Sequence, residues 1–179
     1  VVAALTVAPR TGAAVELRDV KLERVAEQLP ASAAAVAGNL CPNPGFEEGV
    51  GTLGTPQTPG KLPLRWTVTR GTAELDRTVK ATGAASLKLT ATSNKEWAAV
   101  RSDRVPVVKG VDYLLSGQLR SSLGNQRMSL GLEFYRADGT LISQLLVGAQ
   151  GVFPPAEFTK YHGIVFAAGG KVTIPAATA

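Results

Sequence analysis

The chain has one cysteine, one histidine and one methionine in 179 residues. A lone cysteine, Cys41, excludes an internal disulfide. Leu40 stands before it, where a lipid-anchored cysteine takes a small residue, so Cys41 is expected to be a buried, strand-borne thiol. With His162 as the only histidine, a Ser-His-Asp arrangement has one route, and no Gly-x-Ser-x-Gly elbow accompanies it. No group of His and Cys stands at zinc spacing, and no glycine loop of the phosphate-cradling kind occurs. These absences argue against an enzyme. Paired carboxylates for glycoside hydrolysis, for which Glu133 with Glu96 or Asp103 would be the pair, depend on spacing in three dimensions. Aromatic residues make up 6% of the chain, too few for an extended stacking platform. No apolar run approaches the roughly 18 residues that suggest a membrane span.

What is present is ordinary for one globular domain with appendages: 45% hydrophobic and 18% charged residues, with 19 Gly and 11 Pro to supply turns. Lys and Arg exceed Asp and Glu by 19 to 14, for a formal charge of +5. The basic residues are scattered, which fits a solvated surface and gives no nucleic-acid footprint. The start at Val1 is that expected of a processed product or a piece of a longer protein.

From Asn39 onward the chain reads as short strands between turn signals, the pattern of an all-β sandwich or barrel. Strands are expected at Ala84–Thr92, Ala98–Pro106, Asp112–Ser121, Arg127–Arg136, Thr140–Val147, Phe158–Ala167 and Lys171–Ile174. Thr82-Gly83, Lys109-Gly110, Gly124-Asn125, Asp138-Gly139 and Gly169-Gly170 punctuate them. Met128, Leu130, Leu132 and Phe134 share one parity and are expected in the core. Ser129, Gly131, Glu133 and Tyr135 share the other, expected to be wet. Ahead of these strands, residues 1–25 read as a β-hairpin, Ala3–Ala8 pairing with Val15–Leu22 across Pro9–Gly12, and residues 26–38 as an Ala-rich linker or short helix.

Asn39–Gly49 (NLCPNPGFEEG) is followed in order by Pro63, Trp66, Gly83, Ser86–Leu89 (SLKL), Trp97–Val100, Val105-Pro106-Val107 and Gly110-x-x-Tyr113-x-x-Ser116-Gly117. In that order and spacing, residues 39–174 resemble the carbohydrate-binding modules of families four, nine and twenty-two, including versions found in phage tail and virion-surface proteins. The resemblance implies a jelly-roll β-sandwich spanning residues 39–179 that binds polysaccharide or cell-surface glycan without cleaving it, on a secreted or virion-surface protein. Trp66 takes a packing role in that pattern. The family closes with a strand carrying an acidic motif, and here the matching residues, Arg18-Asp19-Val20, stand at the wrong end. Residues 1–25 therefore close this sandwich, complete a neighbouring copy by strand donation, or belong to a preceding module. A self-assembling structural subunit is the alternative function.

The resemblance also implies a structural calcium, with Glu47, Glu48 and Asp19 as matching acids, though Arg18 puts a cation where a second acid is usual. For glycan contact, aromatic faces stack on sugar C–H surfaces while amide, carboxylate and guanidinium groups bond the hydroxyls. Tyr135 and Glu133, with Arg120 and Gln118 on an adjoining strand, are the candidates, and Trp97 is a further one. No catalytic residue is assigned.

Overall fold

A computed structural model describes residues 2–9, 14–24, 38–46, 60–62, 65–92, 97–107, 112–124 and 126–166. Among them are twelve strands and no helix. They are β1 (Val2–Pro9), β2 (Ala14–Arg24), β3 (Gly60–Leu62), β4 (Trp66–Arg70), β5 (Thr72–Asp76), β6 (Ser86–Thr90), β7 (Ala99–Ser102), β8 (Val105–Pro106), β9 (Asp112–Ser121), β10 (Met128–Tyr135), β11 (Leu141–Val152) and β12 (Thr159–Phe166). Two antiparallel sheets pack face to face. One runs β11-β10-β1-β7-β4-β3, with β8 also paired to β1, and the other runs β12-β9-β2-β6-β5.

Alternation in each strand explains the layering, because successive side chains point to opposite faces. Leu5, Val68, Val100, Leu130 and Leu132 from the first sheet meet Val15, Leu17, Leu87, Leu89, Leu115 and Leu119 from the second in one core. Trp66 is fully buried there and stacks obliquely on Phe46, with ring centroids 5.3 Å apart. Its indole N–H donates to the Pro42 carbonyl at 3.1 Å, so the buried polar group keeps a partner.

The hairpin expected of residues 1–25 does not form. β1 lies between β10 and β7 in one sheet, while β2 lies between β9 and β6 in the other. Ala3 and Leu5 on β1, and Val15 and Leu17 on β2, are all fully buried. Such apolar stripes are best covered by facing each other across a core, and side-by-side pairing would leave both needing another cover. In this chain β1 pairs on one side with β10 and on the other with β7 and β8, and β2 pairs on one side with β9 and over Ala14–Leu17 with β6. Residues 26–37 of the 26–38 linker, and Lys171–Ile174, lie outside the described residues.

β3, β4 and β5 add to the strands read from sequence. Their signal was available: Trp66 and Val68 alternate with Thr67 and Thr69, and Ala73 and Leu75 alternate with Thr72 and Glu74. Between β4 and β5 the chain changes sheets at the single residue Gly71, whose φ is +70°. A Cβ there would sit 2.7 Å from both the Ala98 Cβ and the Thr90 carbonyl oxygen, so only glycine fits.

Cys41 is buried as expected, but in the irregular stretch 38–46 and not on a strand. Burial pushes its thiol well above the ordinary range, which keeps it in the unreactive form. That stretch docks on β2. The Asn39 side chain accepts from the Leu22 N–H at 2.9 Å and donates to the Val20 carbonyl at 2.9 Å. Where β2 breaks register with β9 between Arg18 and Lys21, the Val20 N–H donates to the Pro44 carbonyl at 3.0 Å. The described part of the Asn39–Gly49 motif, residues 39–46, therefore docks on this bulge and supplies its missing hydrogen-bond partner.

Candidate functional site

The five candidate contacts fall on opposite sides of the molecule. β9 and β10 are consecutive in sequence, and the expectation placed them on adjoining strands. They belong to different sheets, because the turn Ser121–Gly124 carries the chain across the sandwich. Gln118 and Arg120 project from the outer face of the five-stranded sheet, and Glu133 and Tyr135 from the outer face of the other. They cannot touch one ligand together.

Glu133 and Tyr135 are also not wet. Each is buried, at 7% and 5% exposure, beneath a lid of arginines. The Arg104 guanidinium lies 4.0 Å from the Tyr135 ring centroid and that of Arg101 lies 5.7 Å from it. The Tyr135 hydroxyl donates to Glu133 Oε2, which also pairs with Arg101, and Gln144 donates to Glu133 Oε1 at 3.4 Å. Burial, with the Glu133 carboxylate beside it, pushes the Tyr135 phenol up to about 12. The parity argument found the correct face but not its cover, because Arg101 comes from β7, on the far side of β1 from β10, and Arg104 from the loop after it. With two guanidinium groups against its ring and 5% of its surface exposed, Tyr135 offers little free face for stacking. Trp97 remains 42% exposed, with the Arg70 guanidinium 4.9 Å from its ring centroid.

On the outer face of the five-stranded sheet, antiparallel register puts charged side chains in rows. One row reads Glu74, Lys88, Glu16, Arg120 across β5, β6, β2 and β9. Lys88 Nζ is 2.6 Å from Glu74 Oε1, and Arg120 Nε is 3.2 Å from Glu16 Oε2. Opposite charges directly across a ladder stabilise it, and here they alternate over four strands. Arg120 also lies 5.9 Å from the Phe158 ring centroid. Burial holds the Glu16 carboxyl above its ordinary value, the attraction of Arg120 only partly offsetting it.

The next rows, on β2, β9 and β12, are different. Arg18 pairs with Gln118 and Gln118 with Lys160, while Lys21 pairs with Ser116 and Ser116 with His162. Between these rows β2 bulges, and Asp19 sits there with φ of +47°. The bulge tips Asp19 toward β9, where its Oδ2 accepts from the Gln118 amide at 2.9 Å and from the Thr82 hydroxyl at 2.6 Å. Its Oδ1 is 3.4 Å from Arg18 Nε. A cleft of about 250 Å³ opens here, lined by Asp19, Lys21, Ser116, Gly117, Gln118 and Lys160. Of its polar side chains the sequence reading had singled out Gln118 and Asp19, the latter for another role. Lys21, Ser116 and Lys160 were missed, since only strand order places β2 and β12 on either side of β9.

Asp19 is thus committed to a guanidinium, an amide and a hydroxyl. Glu47 and Glu48, its expected partners for calcium, lie outside the described residues. Among the described residues no group of three or more His, Cys, Asp or Glu side chains is placed to hold a metal ion. His162 is half-buried on β12, opposite Ser116. No helix among the described residues is long and apolar enough to cross a membrane. No protein-family model, curated protein or solved structure matches the chain.

Proposed function

We propose that the protein is a non-catalytic carbohydrate-binding module of the jelly-roll kind, recognising polysaccharide or cell-surface glycan on an extracellular or virion surface. The observation that carries this reading is the outer face of the five-stranded sheet, where the Gln118 amide, the Lys21 and Lys160 ammonium groups, the Ser116 hydroxyl and the Asp19 carboxylate line one cleft. Sugars present hydroxyls that both donate and accept, and this mixture meets both needs. Mounting on adjacent strands fixes the groups before a ligand arrives, which lowers the ordering cost of binding. Gln118 is the central contact in the cleft, and Arg120, two residues along on the same face of β9, is proposed to meet the glycan beside it. Trp97, on the far side of the sandwich, offers an aromatic surface for a separate contact.

Affinity electrophoresis through gels containing single polysaccharides tests the reading. A retained migration shift is expected for at least one polysaccharide, and Gln118→Ala is expected to weaken it about tenfold, the effect of losing a ligand hydrogen bond and Asp19's partner together. Migration unaltered by every polysaccharide tried would count against it.

The assembling-subunit reading has one observation in its favour. β1 and β2 occupy the central slots of the two sheets, and the same registers would serve between copies if the segment were exchanged. Size-exclusion chromatography at rising concentration distinguishes the two, since a discrete monomer throughout excludes strand donation.

A further inference from the structure

The charges on the five-stranded sheet are balanced on one half and not on the other. In the row Glu74, Lys88, Glu16, Arg120 every cation has an acid within 3.2 Å. In the cleft, Asp19 is the one acid among the lining residues, and its carboxylate is occupied by Arg18, Gln118 and Thr82. Lys21 and Lys160 line the same cleft, are both exposed, and have no ion-pair partner among the described residues. Glu23, the next outward residue on β2, does not line it.

Lys21 stands on β2 and Lys160 on β12, with β9 between them. Neighbouring strands lie about 4.8 Å apart, which sets the two backbones roughly 10 Å apart laterally. Ser116 and Gln118 form the floor between. An uncharged sugar would use the floor and gain little from the two ammonium groups, which hold their hydration shells at a cost to close contact. A ligand with its own negative groups replaces that hydration with charge-assisted hydrogen bonds, roughly twice as strong as neutral ones. The cleft volume is below the 300–1,000 Å³ or so of pockets for drug-sized ligands, so it admits one sugar residue of a chain that continues outside.

We infer that the cleft between Lys21 and Lys160 binds an acidic polysaccharide, one whose sugars carry carboxylates, with Ser116 and Gln118 contacting its hydroxyls. This rests on the glycan-binding reading and narrows its substrate class. The bulge at Asp19 has a part in it: the carboxylate is turned onto Gln118 and Thr82 and kept from pairing with either lysine. The cleft carries a surplus of positive charge as a result.

Affinity electrophoresis of the full chain in polygalacturonate, compared with neutral xylan and β-glucan, tests the inference. Retardation by polygalacturonate is expected, and Lys21→Ala and Lys160→Ala are each expected to reduce it by about tenfold, the loss of one charge-assisted contact. Arg136→Ala removes one exposed charge from the turn between β10 and β11, in the other sheet, and is expected to change retardation less than about twofold. Equal losses in all three variants would reduce the effect to net charge and overturn the inference. Retardation by neutral polysaccharide alone, unchanged by the lysine substitutions, would overturn the acidic class and leave glycan binding standing. Indifference to all three polysaccharides would overturn both.

Discussion

Glu16 shows how a residue on a solvent-facing row can still titrate as a buried one. It is only 3% exposed, because Arg120 and Lys88 lie across it from the neighbouring strands. Desolvation raises its pKa from 4.5, against the pull of Arg120. A carboxyl with a raised folded value holds its proton better in the folded chain. Its contribution to stability is therefore complete below about 4.5 and is lost as pH rises through the folded value. Glu16→Gln does not titrate, so its stability relative to the wild type should rise with pH across that window and level off above it. Urea unfolding at intervals from pH 4 to pH 8 measures this, and a difference constant with pH would refute it. Little of this environment was legible in the sequence. Val15–Leu22 alternates clearly enough to place Glu16 on the outer face, but nothing local names Arg120 as its neighbour.

At the scale of elements, the N-terminal strands matter most. β1 separates β10 from β7, and β2 separates β9 from β6, so removing residues 1–24 would split both sheets in the middle. The exposed strand edges would have neither backbone partners nor cover for Leu132, Leu119 and Leu87. A chain of residues 25–179 is expected to lack a cooperative thermal transition, and a synthetic peptide of residues 1–24 is expected to restore it when added in excess. A truncated chain that melts cooperatively by itself would show the segment to be dispensable. The sequence marked residues 1–25 as closing strands and left open whether they close this sandwich, complete a neighbouring copy or belong to a preceding module. It did not reveal that they enter separate sheets, because alternation fixes which face of a strand is apolar and says nothing about which strand lies beside it.

For the whole molecule, the order of strands governs how it reaches its fold. Val2 pairs with Tyr135 and Arg24 with Tyr113, so the central pairs of both sheets join distant parts of the chain. Closing such loops costs entropy before any ladder forms. Refolding from urea, followed by tryptophan fluorescence, should take about milliseconds to seconds, as in other proteins built from non-local strand pairs. Trp66 is a suitable reporter because it becomes buried only when Phe46 and the core arrive. Full recovery of fluorescence within microseconds would contradict this picture.

By itself the sequence determined the all-β class, most strand positions and the apolar face of β10. These follow from period-two alternation and turn residues, which act over a few neighbours along the chain. Tertiary structure alone decided that Glu133 and Tyr135 are covered by Arg101 and Arg104, and that Gln118 and Arg120 work on the opposite side. It also decided that a scattered set of charges is balanced along one half of a sheet and, among the described residues, leaves two lysines without an ion-pair partner on the other. Scarcity of cysteine, histidine and aromatic residues limits what chemistry the chain can perform. Where its ordinary charges end up depends on which strands become neighbours, and non-local pairing settles that.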